Sequence, residues 1–200
     1  MSETRKWFTA DAHFGSSDVL SREMRPFRDA AEYTREQVGI WNGQAGQDDL
    51  IYAIGDFFNC SYLESDEQAA LAASGQIKAR IVLITGNSEE RLIRDRFGGD
   101  FERFREYCLE HGRFEDVKRN DYTEIGGRRF FLTHRPTDHA RECLTLFGHT
   151  HRAGGLWRPY GFNVGVDLNH FRLFSEQDIL GLLDQKLRWY DSDPDINCFD

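Results

Sequence analysis

Leu144-Thr145-Leu146-Phe147-Gly148-His149-Thr150-His151 is a short apolar run that stops on glycine and then offers two histidines one residue apart. Alone, such a run reads equally as a buried strand or as a piece of buried helix. The glycine and the ligand-type residues behind it favour the strand. Alternate residues of an extended segment face opposite ways. His149 and His151 therefore converge only where a loop past the strand end relaxes that alternation. Neutral imidazole suits zinc, iron and manganese, and carboxylate suits the harder ions of that series.

The same local grammar recurs four more times towards the N-terminus. Lys6-Trp7-Phe8-Thr9 leads into Asp11-Ala12-His13. Ile51-Tyr52-Ala53-Ile54 leads into Gly55-Asp56, and the apolar run at 80–85 leads into Gly86-Asn87. Phe130-Phe131-Leu132-Thr133 leads into His134. Singly, each has an ordinary explanation. Asp11 reads as a cap or turn residue, and Gly86-Asn87 as a turn. A lone histidine is more often core or surface, and that reading stays for His111, His139 and His170. Five strand ends that each deliver a ligand-type residue are not explained that way. The candidate ligands are Asp11, His13, Asp56, Asn87, His134, His149 and His151.

Taken in order, Asp11-x-His13, Gly55-Asp56, Gly86-Asn87, His134 and Gly148-His149-x-His151 resemble the five motifs of the calcineurin-like metallophosphoesterases. The resemblance runs from about residue 7 to 151 and on to Asn163-Val164-Gly165-Val166-Asp167. Phe8 to Gly15, followed by Arg25-Pro26-Phe27, is similar to the small bacterial and phage members. No single motif is specific, whereas the ordered set is. It implies a four-layer α/β/β/α sandwich, two mixed sheets flanked by helices, with a dinuclear metal site at one sheet edge. Asp11, His13 and His151 would hold one ion. Asn87, His134 and His149 would hold the other, and Asp56 would bridge them. The implied cofactors are two divalent ions, manganese first, with zinc, iron or magnesium as alternatives. Ions held roughly 3.5–4 Å apart clamp a phosphate and turn a shared water into hydroxide. Asp56, Asn87 and His149 are then the catalytic candidates. Ser88, Arg25 and Arg135 are the candidates for substrate contact, and Arg22 also lies near a motif loop. An arginine fork holds phosphate in a bidentate manner.

Two departures from the family pattern bear on the chemistry. The third motif is usually Gly-Asn-His followed by an acid, and here it is Gly86-Asn87-Ser88-Glu89. The absent histidine contacts the phosphate and protonates the leaving group. Serine is too poor an acid for that step near pH 7, though it can donate a hydrogen bond to a phosphate oxygen, and a general acid typically contributes about 10²–10⁴-fold. Phe14-Gly15-Ser16 likewise stands where a histidine often follows the glycine. Either the acid comes from elsewhere, with His139 and His170 as candidates, or the substrate has a good leaving group, or activity is reduced.

The resulting expectation is a metal-dependent phosphoesterase acting on a small phosphoester, with a lean towards phosphodiesters. A small-metabolite phosphomonoesterase is the alternative within the family. A scaffold on a retired fold is the alternative outside it, but a retired site should have lost ligands and all seven stand here. The net charge of −9 disfavours a long nucleic acid and hence a nuclease.

The 200 residues suit a single domain, 1–200, with an acidic tail at 191–200 expected to be poorly ordered. No membrane span and no signal peptide are visible, so the cytoplasm is expected. Cys60, Cys108, Cys143 and Cys198 show no paired metal spacing. The 16 phenylalanines fit core packing better than a binding stripe. Helices are predicted over 21–41 with a break at Pro26 and a cap at Asp29. Others are predicted over 65–75, 89–97, 100–111 and 175–183. Further strands are predicted over 114–118, 122–125, 128–133, 156–160 and 162–166. Gly126-Gly127 signals a hairpin.

Overall fold

Among the described residues, ten strands in two sheets carry the loops of the candidate ligands. The computed structural model describes residues 4–59 and 64–189. In the first sheet β1 (Lys6–Thr9), β2 (Leu50–Ile54), β3 (Arg80–Ile84) and β4 (Phe114–Lys118) run parallel. β10 (Phe174–Ser175) pairs antiparallel with β1 at the edge. The second sheet has the order β5-β6-β7-β9-β8, from β5 (Asp121–Ile125), β6 (Arg128–Leu132), β7 (Leu144–Phe147), β9 (Gly161–Asn163) and β8 (Trp157–Arg158). The β5–β6 and β8–β9 pairs are antiparallel, while β6, β7 and β9 run parallel. Both sheets are therefore mixed, as expected.

The strands read as unbroken apolar runs because both faces are covered. Ile51, Ala53, Ile81 and Leu83 face a helical layer with Phe14, Tyr33, Trp41 and Phe104. Their neighbours Tyr52, Ile54, Val82 and Ile84 face the second sheet through Ile125, Phe130, Leu132, Leu146 and Phe162. Fully burying one such side chain is worth about 1.5–3 kcal/mol, and most of the phenylalanines serve these two cores. The flanking helices are α1 (Ser17–Arg22), α2 (Ala30–Gln44), α3 (Glu64–Gln76), α4 (Asn87–Arg96), α5 (Phe101–His111) and α6 (Glu176–Trp189). α6 supplies the fourth layer thinly. Its Ile179 and Leu183 join the inter-sheet core, while Tyr122, Glu124 and Arg129 of the second sheet reach solvent.

Several boundaries differ from the sequence expectation. The first helix starts at Ser17, because the Ser16 hydroxyl accepts the Val19 N–H and caps it. Ser16 is therefore a helix cap. α4 begins at Asn87, two residues early, with Gly86 in the cap position. The 162–166 strand stops at Asn163, where Gly165 opens a 3-10 turn over Val166–Leu168. α6 runs on to Trp189. The 191–200 tail, Cys60 and Cys198 lie outside the described residues, and Cys108 and Cys143 are free thiols. Among the described residues no helix is long and apolar enough to cross a membrane.

Candidate metal centre

The ligand loops leave their strands at one edge of the sandwich, where a bridge between Ala10 and Gly165 joins the two sheets. Five of the seven candidate ligands have left-handed backbones: Asp11 (φ 59), His13 (φ 49), Asp56 (φ 52), His149 (φ 73) and His151 (φ 46). That conformation costs a non-glycine residue roughly 1–2 kcal/mol. Such strain persists only where surrounding structure enforces it, and it gathers at functional sites. Here the Asp11 N–H donates to Gly55 O (3.0 Å) and the His13 N–H to Asp56 O (2.8 Å). The left-handed turns break the strand alternation, so Asp11 and His13 reach one centre, as do His149 and His151. Glycine is required at two of these crossings. A Cβ on Gly55 would overlap the His134 ring, and one on Gly86 would overlap the Asp56 carboxylate.

Two groups of ligand atoms result. Those of Asp11, His13 and His151 lie within 4.8 Å of one another, and so do those of Asp11, Asp56 and His134. Asn87 Oδ1 stands 3.0 Å from His134 Nε2 and 2.7 Å from His149 Nδ1, which extends the second group. Asp56 faces both. Its Oδ2 is 3.4 Å from His13 Nε2 and its Oδ1 is 3.4 Å from His134 Nε2. The Asp11 carboxylate accepts the His149 N–H, so the two groups share a wall.

These residues fit divalent cations. Both ring nitrogens of His13 are buried without a hydrogen-bond partner, an arrangement that costs free energy unless something satisfies them. Burial pushes the His13 pKa down to about 3, so its lone pair is available at neutral pH. Imidazoles, two carboxylates and one amide oxygen suit a first-row divalent ion.

The charges are interdependent. Burial alone would raise the Asp56 pKa, but His134, His13 and the Ser88 N–H hold it well below the usual range. Burial raises that of Asp11, with the His134 and His151 charges opposing. Partial burial and the charge of His134 lower that of His149. Burial would lower His134, yet the hydrogen bond and charge of Asp56 bring it up to about 9. Metal-free, His134 therefore keeps its proton at pH 7. Its folded pKa lies above the usual 6.5, so its contribution to stability is full below 6.5 and lost as pH rises through 9. A metal ion held through the His134 ring would have to displace that proton. Calorimetry in buffers of different ionisation enthalpy is expected to show at least about one proton released per chain at pH 7, fading above pH 9. Metal uptake at pH 7 without proton release would contradict a protonated His134.

A cleft of about 920 Å³ opens over the centre, lined by His13, Asp56, Asn87, His149 and His151 together with Arg22, Asn59 and Arg91. A second cavity of about 300 Å³, lined by Glu90, Arg119, His134 and Arg135, lies beside it. The residues expected to touch substrate are placed differently. Arg25 is buried, and its guanidinium is engaged by Asp167, Tyr33 and the Asp11 and Ala12 carbonyls. Arg135 is half-buried in a bidentate pair with Glu90 at the smaller cavity. Ser88 is fully buried, and its backbone N–H donates to Asp56 Oδ1 (2.8 Å). Neither His139 nor His170 lines the cleft. His139 stacks on Tyr160 with its Nδ1 at Pro136 O.

Two acids escaped the sequence reading. Glu89 is fully buried. Its Oε2 accepts the Gly86 and Asp56 N–H groups and its Oε1 accepts that of Phe58, clamping two ligand loops together. The signal was present, since an acid three residues past a helix cap is a capping-box pattern. Burial and the Asp56 charge push its pKa up to about 7. Asp167 accepts from His151 Nδ1 (2.9 Å) and from both faces of the Arg25 fork. No local pattern announces that pairing.

Comparison with known proteins agrees with this geometry. The chain is 24% identical over 199 residues to the uncharacterized protein MJ1445 of Methanocaldococcus jannaschii, covering 92% of this chain and 94% of that one. Its fold is similar to the crystal structure of AQ665 from Aquifex aeolicus, a protein of unknown function. The TM-score is 0.66 at 20% identity, over 90% of this chain and all of that chain. The sequence profile described as calcineurin-like phosphoesterase matches residues 4–153, which include every candidate ligand, and the chain belongs to that family.

Proposed function

We propose that this chain is a dinuclear metal-dependent phosphodiesterase acting on small substrates. The observation that carries the reading is Asp56, whose two oxygens each stand 3.4 Å from an imidazole of a different ligand group. Asp11, His13 and His151 would hold one ion, Asn87, His134 and His149 the other, with Asp56 between them. Divalent ions there, manganese first, supply positive charge against the phosphate and bring the pKa of water near neutrality. The retention of all seven ligands counts against a scaffold role.

The chain's own residues do the rest. The Ser88 N–H and the Glu89 clamp fix Asp56 and Asn87 at the cleft floor. His149 is exposed to the cleft and kept neutral, so it can hydrogen-bond a phosphate oxygen. Arg91 lies one turn beyond Asn87 on α4 and points to the cleft without a hydrogen bond or ion pair among the described residues. It, rather than Arg25 or Arg135, is the arginine free to take a substrate anion. Arg22 lines the same cleft but is paired with Glu23. With serine at position 88 and neither His139 nor His170 at the cleft, leaving-group protonation has no replacement histidine. That favours activated or strained diesters over alkyl monoesters. The cleft is of ligand size, and the net charge of −9 favours small substrates over a polyanion.

The test is a panel of aryl diesters, aryl and alkyl monoesters and cyclic nucleotides with Mn²⁺, with and without chelator. The expected order of kcat/KM places diesters above alkyl monoesters, with all rates chelator-sensitive. A preference for alkyl monoesters would contradict the diester reading. Arg91→Ala is expected to raise KM about 10-fold with kcat nearly unchanged, the size of one charge-assisted hydrogen bond. An unaltered KM would remove Arg91 from the substrate's contacts.

A further inference from the structure

The side chains of Asp167 and Arg25 are fully buried and do not line the cleft, yet between them they reach two ligands of one metal group, His151 and Asp11, and Ala12, the residue that separates Asp11 from His13. Asp167 Oδ2 accepts a hydrogen bond from His151 Nδ1–H at 2.9 Å, which leaves Nε2 as that ring's free nitrogen. The His151 ring is thereby held nearly parallel to His13, with centroids 5.2 Å apart and 13° between planes. Arg25 grips Asp167 through Nε and Nη2 at 2.9 and 2.8 Å. The same guanidinium donates to Asp11 O at 2.7 Å and to Ala12 O at 3.0 Å, the two carbonyls inside the left-handed Asp11–His13 turn. The hydroxyl of Tyr33 donates to Ala12 O at 2.6 Å and completes the cradle.

The second ligand group is oriented by other means. His134 Nδ1 rests on Ile54 O at 2.9 Å, and Asn87 opens α4 behind the Glu89 clamp. Neither touches Arg25 or Asp167.

We propose that the Arg25–Asp167 pair is the positioning device for one of the two metal ions only, the one held by Asp11, His13 and His151. The inference rests on the dinuclear reading above. Asp167 orients His151, Arg25 sets Asp167 and the main chain of the ligand turn at once, and neither makes a hydrogen bond to His134, Asn87 or His149, the ligands of the other ion. Carboxylates that support a ligating imidazole are worth about 10–100-fold in metal affinity. Here the loss should fall on one ion and spare the other.

The experiment is equilibrium dialysis against graded free Mn²⁺ with metal counted per chain, on wild type, Asp167→Asn and Val38→Ala. Wild type is expected to bind two ions. Asp167→Asn should bind one with wild-type affinity and the other about 10–100-fold more weakly. Val38→Ala loosens the buried face of α2, the helix that carries Tyr33, without removing a hydrogen bond of the Arg25–Asp167 cluster, and should keep both ions. If Asp167→Asn does not fold, the double variant Arg25→Met with Asp167→Asn removes both buried charges and is read the same way. Wild-type affinity for both ions in the Asp167 variant would overturn the proposal. So would equal weakening of both ions, or an equal loss in Val38→Ala, either of which would mark general loosening. A wild-type chain that binds fewer than two ions would contradict the dinuclear reading itself, and this inference with it.

Discussion

Asp56→Asn is expected to lose most of its bound metal and nearly all phosphoester hydrolysis. The substitution keeps the shape of the side chain and can keep the Ser88 N–H bond at 2.8 Å. What it removes is the negative charge between His13 and His134, each 3.4 Å from one of its oxygens. Both ligand groups then lose a shared anion. Removing one preorganised charge-stabilising donor costs about 10²–10³-fold in rate, and loss of a shared ligand should exceed that. Elemental analysis beside a rate measurement decides it. Two ions retained in Asp56→Asn would show that the carboxylate does not bridge.

Arg25→Ala is expected to destabilise the metal-free fold by about 3–5 kcal/mol, the cost of breaking one partner out of a buried pair. The side chains of Arg25 and Asp167 are both fully buried. Removing the guanidinium strands the Asp167 carboxylate and frees the Asp11 and Ala12 carbonyls. The pH dependence has a definite sign. Burial would raise the Asp167 pKa, but His151 and Arg25 hold it at about 2, below the usual 3.8. A depressed carboxylate pKa contributes stability above 3.8 that is lost as pH falls through 2. The gap between wild type and Arg25→Ala should therefore be largest above pH 4 and close towards pH 2. Urea unfolding at several pH values, with chelator present, measures it. A difference below about 1 kcal/mol at neutral pH would show that water or relaxation compensates the stranded charge.

The strands and the convergence of the candidate ligands were legible because both are written locally. A strand buried on two faces leaves an apolar run, and a ligand at its end leaves a glycine or polar step. Gly55 and Gly86 were visible as turns, though the overlap each avoids, with His134 and with Asp56, appears only in three dimensions. What was not legible depends on distant partners. Asp167 meets Arg25 across 142 positions, and nothing near either residue predicts it. Arg25 was expected at the substrate because it follows a motif loop. The buried carboxylate and carbonyls turn it inward instead. Ser16 and Ser88 looked like pocket residues by position. Ser16 caps α1, and Ser88 meets Asp56 through its main chain.

The most direct test of the account counts metal and measures hydrolysis on the same wild-type samples. Protein dialysed against Mn²⁺ is analysed for ions per chain and assayed on an aryl phosphodiester, then stripped with chelator and reloaded. The account predicts two ions per chain, hydrolysis that disappears on stripping, and recovery that follows occupancy of the second ion. Hydrolysis that persists in stripped protein, or full activity with one ion or none, would contradict it.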